Sequence, residues 1–439
     1  MTSAGIPKLR WRIGSLLGAG VLINYFDRIS LSVAGPQLQQ TLGLCPTKLG
    51  LLLSAFFWTY ALSQIPAGMI LDRWGVTRVG RWSAFLWGVA SAITAMASGF
   101  AGIFAARALL GLAEAPSFPA NSKATGYWFP RQERASSTAL FDAAAKFSNV
   151  IGVPLVALAV VNLGWRWGFG LVATFSFVYF AAFYIIYRDP SAHPRLSTRE
   201  REYIAAGGAS PEGQISTSPA GMLGHLLHSR KVWGLSIGFG AYGYCFYFFL
   251  TWLPGYLVHT MHMSILTSAT FAAIPWMCAT VSDLAVGGWL IDHLIARGYD
   301  ETRVRKTVLL AGMCGGLAVF GATTTTDPVT AIAWISVALS GLAAAAPVGW
   351  SLPSLIAPRG GVGTVGSLMN FTNNVMGAVA PVVTGIIVDR THSFTNAFLV
   401  AGVILLTGVA SFVFLLGRIE PVPEPSRKIP LPVATPGAR

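Results

Sequence analysis

The sequence predicts an all-α polytopic membrane protein with twelve transmembrane helices in two six-helix halves. Three observations carry that prediction. Apolar stretches of about 20 to 27 residues recur twelve times along the 439-residue chain, each long enough to cross a bilayer. Only 11% of the residues are charged while 54% are hydrophobic, against about 25% charged in an ordinary soluble domain. The basic residues are also segregated. Of the 30 Lys and Arg, 24 fall in the tails and loops of one side, three (Lys48, Arg166, Arg390) on the other and three (Arg28, Arg107, Lys146) within helices. This asymmetry places the basic side, and with it both termini, in the cytoplasm. The net charge of +13 is therefore a membrane signature, and no nucleic-acid partner is expected.

In chain order the apolar segments lie at 13–37, 48–71, 80–99, 102–127, 136–160, 166–187, 232–258, 266–294, 307–325, 328–355, 364–388 and 394–417. Residues 1–187 form the first half and 231–417 the second. The one long connection, 188–230, is a cytoplasmic linker loop in which Ser197-Thr-Arg-Glu200 has capping-box spacing and opens a short surface helix. Residues 418–439 carry six prolines and are expected to form a disordered cytoplasmic tail. The first apolar run is too long for a cleavable signal and no small-residue cleavage pattern follows it. Gly 48 and Trp 14 suit helices that pack closely in lipid with aromatic interfacial anchors. Cys45, Cys245, Cys278 and Cys314 have no metal or redox spacing, and only Cys45 reaches an external loop, so no disulfide is expected.

The halves repeat weakly. Gly68-Met-Ile-Leu-Asp72 recurs as Gly288-Trp-Leu-Ile-Asp292, and Phe169-Gly-Leu-Val-Ala resembles Phe398-Leu-Val-Ala. Two parallel six-helix repeats are a transporter architecture, with a substrate site at mid-membrane between them. There is no nucleophile–base pairing, metal spacing or appended soluble domain to suggest an enzyme or a sensor.

Charged residues at mid-membrane usually face the bundle interior and mark a pathway. Asp27 and Arg28, halfway along the first helix, point roughly 100° apart toward different neighbours. Arg107 and Glu114 in the fourth helix are seven apart, on one face. The economical pairing is crosswise, Asp27 with Arg107 and Arg28 with Glu114. Buried pairs seldom add net stability over apolar packing, so two of them suggest use rather than scaffolding. An incoming carboxylate favours the planar fork of an arginine, and a proton on Glu114 or Asp27 releases that arginine. Reciprocal linkage of this kind is proton-coupled symport.

Other buried polar residues are placed to join the site. Tyr60 lies too deep for an interfacial belt. Tyr242 is deep enough to touch substrate, while the neighbouring Tyr244, Phe246, Tyr247, Phe248 and Phe249 suit packing or a hydrophobic gate. Asn370 and Asn374 are i and i+4 on one face, suited to hydroxyl or carboxylate groups, while Asn373 is expected to pack. Lys146 in the fifth helix either balances Asp142 at i−4 or faces the cavity as a third cation. Asp283, and Asp72 and Asp292 at cytoplasmic helix ends, are expected as gate ion pairs with Arg73, Arg134 or Arg303.

Gly68-Met-Ile-Leu-Asp72-Arg73-Trp-Gly75-Val-Thr-Arg78 resembles the loop signature of the major facilitator superfamily. Asn24-Tyr-Phe-Asp27-Arg28, Arg107-(x3)-Gly111-(x2)-Glu114-Ala-Pro, Gly366-Ser-Leu-Met-Asn370-Phe and Thr251-Trp-Leu-Pro-Gly-Tyr256 resemble its anion:cation symporter family. The resemblance covers essentially the whole chain. It implies Asp27 and Glu114 as proton sites, Arg28 and Arg107 as anion-binding or gating residues, and Tyr25 and Tyr60 as substrate contacts. Animal members have a long glycosylated first external loop; here that loop is about ten residues without a sequon, which points to a bacterial inner-membrane member. The expectation is a monomeric proton symporter of an organic anion, such as an aldonate or hexuronate, with no cofactor beyond the coupling proton. Uptake of a dicarboxylate or aromatic carboxylate is the nearest alternative, and a drug/proton antiporter the next. Sugar-acid members of that family typically have uncharged residues around the point where this chain has Lys146.

Overall fold

The structure is a computed structural model that describes residues 7–130, 133–209, 222–358 and 361–424. It is helical almost throughout. Helix α1 (Leu9–Leu42) stops at Gly43, whose φ of 61° is left-handed, a conformation glycine adopts without a steric penalty. Helix α2 (Pro46–Met96) runs 51 residues and is broken at Gly75, with φ 76°. The expected second and third segments are thus two helices, separated at Gly75, where the chain turns in a conformation that glycine adopts easily. Helices α3 (Phe100–Glu114) and α4 (Ser117–Trp128) divide the expected fourth segment at Ala115-Pro116, because proline cannot continue the helical bonding of the turn before it.

Helices α5 (Arg134–Leu163) and α6 (Trp165–Ile186) follow, joined by Gly164. The linker carries α7 (Thr198–Ala206), capped as expected by Ser197, whose hydroxyl accepts from the Glu200 N–H at 3.2 Å, and α8 (Met222–Leu227). Then come α9 (Arg230–His259) and α10 (Ile265–Ser282). The latter passes through a π-helical stretch, Asp283–Leu290, into α11 (Ile291–Ala296). Helix α12 (Glu301–Gly316) tightens into a 3-10 turn to Thr324. Helices α13 (Pro328–Ile356), α14 (Val362–Thr391) and α15 (Thr395–Ala410), the last extended by Ser411–Leu416, complete the chain. Each apolar stretch expected from the sequence is thus helical along nearly all its length. Among the described residues, eight helical runs are long and apolar enough to cross a membrane.

The helices run up and down between the end that holds Pro7 and Glu424, the first and last described residues, and a remote end. Within the first half α1 packs on α5 and α6, and α2 on α3 and α6; within the second, α9 packs on α14 and α15, and α13 on α10 and α12. The halves meet where α2 lies against α14 and α5 against α10. They are drawn together at the remote end. The Ser32 hydroxyl donates to the Thr251 carbonyl at 2.6 Å, Thr47 to the Asp389 carboxylate at 2.6 Å, and His259 meets Gln39 at 3.0 Å. Gly50 faces the Pro381 carbonyl and Gly385 the Pro46 carbonyl so closely that a Cβ on Gly385 would stand 2.6 Å from that oxygen. Only glycine allows two main chains this near.

At the terminal end, Glu200 is fully buried and caps α1. Its carboxylate accepts from the Leu9 and Arg10 N–H groups at 3.2 and 3.1 Å and from Arg10 Nη1 at 3.0 Å, an acid at the positive end of a helix. Arg10 also donates two bonds to Glu133, at 2.7 and 3.0 Å, and Tyr203 donates a third at 2.9 Å. The bonds from Arg10, with a further one from Tyr203, hold the Glu133 carboxyl below its ordinary range against partial burial. Helix α7 is thereby fastened to the first half. The tail expected to be disordered from Arg418 begins instead as a packed strap: Val422 is buried and donates to the Ile356 carbonyl at 2.8 Å, while Lys231 meets the Glu420 carboxylate at 2.9 Å. Residues 425–439 lie outside the described residues.

Candidate functional site

A cavity of about 140 Å³ lies between the halves, lined from α1, α2, α4, α5, α9, α13 and α14. The guanidinium of Arg28 forms one pole. It lies over the rings of Tyr25, Phe56 and Tyr60 at 4.8, 4.6 and 4.9 Å. Its Nε donates to Glu114 at 3.1 Å, the expected pair, with Glu114 fully buried. Its Nη2 has no acceptor, and neither does the second Glu114 oxygen have a donor. Arg28 lines the cavity, and a buried guanidinium with a nitrogen that lacks an acceptor is a ready partner for a carboxylate. Tyr25 and Tyr60 line the cavity beside it.

The other half of the crosswise pairing does not form. Arg107 Nη1 donates to the main-chain carbonyl of Asp27 at 2.7 Å, and Arg107 stands behind Arg28, outside the residues that line the cavity. The Asp27 carboxylate turns instead into the first half, where it accepts from the Ser91 and Ser176 hydroxyls, the latter at 3.1 Å. The 100° between consecutive helical residues separates Asp27 from Arg28 as expected, but it points the acid at two serines rather than at Arg107. One turn earlier, Asn24 has no partner for either amide atom, nor does Ser117 for its hydroxyl; both border a pocket of about 20 Å³ within the first half. That is room for a single water-sized molecule.

Lys146 forms a second pole. Its ammonium is 2.9 Å from Asp142 one turn earlier, the expected intrahelical pair, and also 2.9 Å from Asp283 across the interface between halves. This overturns the expectation that Asp283 serves a gate with Arg73, Arg134 or Arg303. Asp283 opens the π-helical stretch and is buried, with its carboxylate turned to Lys146 of α5. Of the other gate residues, the side chains of Asp72, Asp292 and Arg134 lie outside the described residues. Arg73 is exposed, and a Cβ on Gly68 would meet nothing within 4 Å.

The remaining wall is polar and aromatic. Asn374 donates to the carbonyl and side-chain oxygen of Asn370 at 2.8 and 3.0 Å, so the shared face read from i, i+4 spacing is real. Asn373, expected only to pack, both packs on Gly243 and lines the cavity. Tyr242 lines it as expected, and so do Phe246 and Tyr247, read from the sequence as packing or a hydrophobic gate. Phe118, Asp142, Ala145 and Trp350 are further wall residues that sequence reasoning did not assign. Ser91 and Ser176 were also missed; their only signal was a small hydroxyl in an apolar helix.

The family model described as Major Facilitator Superfamily matches residues 17–381. An uncharacterised transporter of Bacillus subtilis is 43% identical over 94% of this chain and 95% of its own length. A probable galactarate/D-glucarate transporter of Escherichia coli is 35% identical over 90% and 91%. A D-galactonate transporter of an Escherichia coli O6:H1 strain is 30% identical over 92% and 94%. Among solved structures, a bacterial homologue of the human lysosomal transporter Spinster, in an inward-facing and occupied conformation, superposes with a TM-score of 0.72 at 15% identity, covering 93% of this chain and 97% of that one.

Proposed function

Because the chain belongs to the major facilitator superfamily and is an integral-membrane transporter of sugar-acid type rather than an enzyme, we propose that it is a proton-coupled symporter importing an organic anion by alternating access. The anion is a sugar acid, as the names of the relatives suggest. The observation that carries this reading is Arg28: a buried guanidinium with one N–H bound to Glu114 and a nitrogen without an acceptor, set among three aromatic faces at the cavity between the halves.

The substrate carboxylate accepts from Arg28 Nη2, and hydroxyls along its chain meet Tyr25, Tyr60, Tyr242 and the Asn370/Asn374 pair. A carboxylate at Arg28 and the charge of Glu114 compete for one guanidinium. A proton bound at Glu114 and an anion bound at Arg28 therefore help each other. Asp27 is the second proton site. It sits behind Arg28 on two serine hydroxyls, with the polar pocket at Asn24 a turn away as a step for the proton. Arg107 positions the Asp27 main chain, and Gly68, Asp72, Arg73 and Asp292 belong to the cytoplasmic gate. With both termini in the cytoplasm of a bacterium and the remote end sealed, the state described faces inward across the inner membrane. One chain suffices, since its own two halves enclose the cavity.

Reconstituted into proteoliposomes, the protein should exchange D-galactonate or a related sugar acid in counterflow and accumulate it under an inward pH gradient. Glu114→Gln should keep counterflow and lose accumulation, because a neutral amide stands in for the protonated acid. Accumulation by Glu114→Gln would remove Glu114 from the coupling mechanism.

A further inference from the structure

We propose that Lys146, Asp142 and Asp283 make this transporter select monoanions whose far end bears hydroxyl groups, and exclude dianions of the same chain length. The choice of sugar acids as ligands rests on the function proposed above; the charge rule does not.

The two cationic poles of the cavity differ in what they leave unspent. Arg28 is bound to one carboxylate and keeps an N–H without an acceptor. The ammonium of Lys146 is shared between two carboxylates, each at 2.9 Å. If all three groups are ionised, the cluster carries one negative charge in excess; if one acid is protonated, the cluster is neutral. In neither state is there a cation to spare. The exposures sharpen this. The Asp142 side chain is 33% exposed, whereas Lys146 and Asp283 are 7% and 5%. A ligand reaching this pole therefore meets the Asp142 carboxylate before it meets the ammonium.

A second carboxylate on the ligand would have to face that acid or displace it, at a site where burial magnifies like-charge repulsion. A hydroxyl would not, because it can donate to Asp142. The neighbouring wall asks for the same donor. The Asn374 amide N–H group is engaged by Asn370, and its side-chain oxygen is buried with no donor of its own. Sites whose buried acceptors need a donor reject ligands that lack one far more strongly than apolar pockets reject a misfit. One pole thus binds the carboxylate and the other takes an alcohol. The cluster also spans the interface, since Asp142 and Lys146 lie on α5 and Asp283 at the end of α10. A dianion that pulled Lys146 from Asp283 would break a tie between the halves as well.

The test compares dissociation constants of the purified full-length protein, by calorimetry at neutral pH, for two matched pairs. D-Galactonate and galactarate differ only in a terminal alcohol against a carboxylate, as do 4-hydroxybutyrate and succinate. The wild type should prefer the monoanion of each pair by about ten- to a hundredfold. Asp142→Asn and Asp283→Asn each leave Lys146 with one carboxylate, and each should move the ratio toward the dianion by about tenfold or more. Asp142 is partly exposed, so its replacement keeps the comparison available should Asp283→Asn not fold. Equal or tighter dianion binding by the wild type, or a ratio unmoved in Asp142→Asn, would overturn the proposal. If neither six-carbon acid binds while the four-carbon pair obeys the rule, the sugar-acid reading fails and the charge selection stands. If galactarate binds better than galactonate, the sugar-acid reading stands and the charge selection fails.

Discussion

Replacing Gly385 by alanine should unseal the remote end of the bundle. The added Cβ would lie 2.6 Å from the Pro46 carbonyl oxygen and 3.3 Å from the Gly50 Cα. Ordinary contact begins near 3.4 Å, so α2 and α14 must part by about 0.8 Å to admit one methyl group. Both atoms are main chain, and no side chain can swing away to make room. Overpacking of this kind costs roughly 1–3 kcal/mol, and the cost falls only on the state in which the two helices touch. The balance between remote-closed and remote-open states should therefore move by about five- to 150-fold toward the open one. Double electron–electron resonance between spin labels on Cys45 and on His262→Cys, in a chain lacking the other cysteines, reads this directly. A longer-distance population should appear in Gly385→Ala, with uptake slowed at saturating substrate. Gly363→Ala, on the same helix but with nothing within 4 Å of its Cβ, is the control. An unchanged distance distribution and normal uptake in Gly385→Ala would refute the claim that main-chain contact sets the closed state.

Arg28→Lys keeps the charge but loses the planar fork that serves Glu114 and the substrate together; affinity for the transported anion should fall by about ten- to a hundredfold in a binding titration, and near-normal affinity would leave only a long-range role. Cys45, next to the first residue of α2 at the remote end and partly exposed, should react in intact cells with an impermeant thiol reagent when it is the sole cysteine; labelling only after permeabilisation would reverse the topology. The Glu133 carboxyl, held below its ordinary value of 4.5 by the Arg10 bonds, contributes stability that is present above that value and lost as pH falls through its lower folded-state value. Hydrogen exchange in α7, corrected for intrinsic rates, should accelerate over that acid window, and Glu133→Gln should show the faster rate already at neutral pH; identical profiles for the two proteins would dismiss Glu133 as a fastener.

Where partners are close in sequence, the chemistry could be read from spacing. Asp142 and Lys146, and Asn370 and Asn374, are four apart and do meet. The apolar segments were equally legible, because the bilayer demands about 20 apolar residues whatever the tertiary context. Arg28 with Glu114 could be reached by economy of charge, since two buried acids and two buried arginines had to be neutralised nearby. The same economy failed for Asp27. Its hydroxyl partners Ser91 and Ser176 lie 64 and 149 residues away, and a serine in an apolar helix carries no sign of what it faces. Asp283 was misplaced for a related reason. Its partner stands on the other half, and the register of one half against the other is set by packing across the interface, with no periodicity to announce it. The aromatic run of α9 reads from the sequence as packing or a hydrophobic gate because aromatic rings serve either purpose; the cavity distinguishes Phe246 and Tyr247 from Phe248 and Phe249.

The carbonyl oxygen of Asp27 is asked to do more than a helical carbonyl ordinarily does. Besides its place in the helical ladder, it accepts from the Ser30 hydroxyl at 2.8 Å and from Arg107 at 2.7 Å. An oxygen with two lone pairs cannot satisfy three donors equally, and side chains that insert into the ladder are among the recognised causes of helix kinks. That carbonyl belongs to the peptide that joins Asp27, which turns into the first half, to Arg28, which faces the cavity. Arg107 is therefore tied to the main chain of α1 at the point where the two side chains part, so it bears on both without touching either carboxylate or substrate pole.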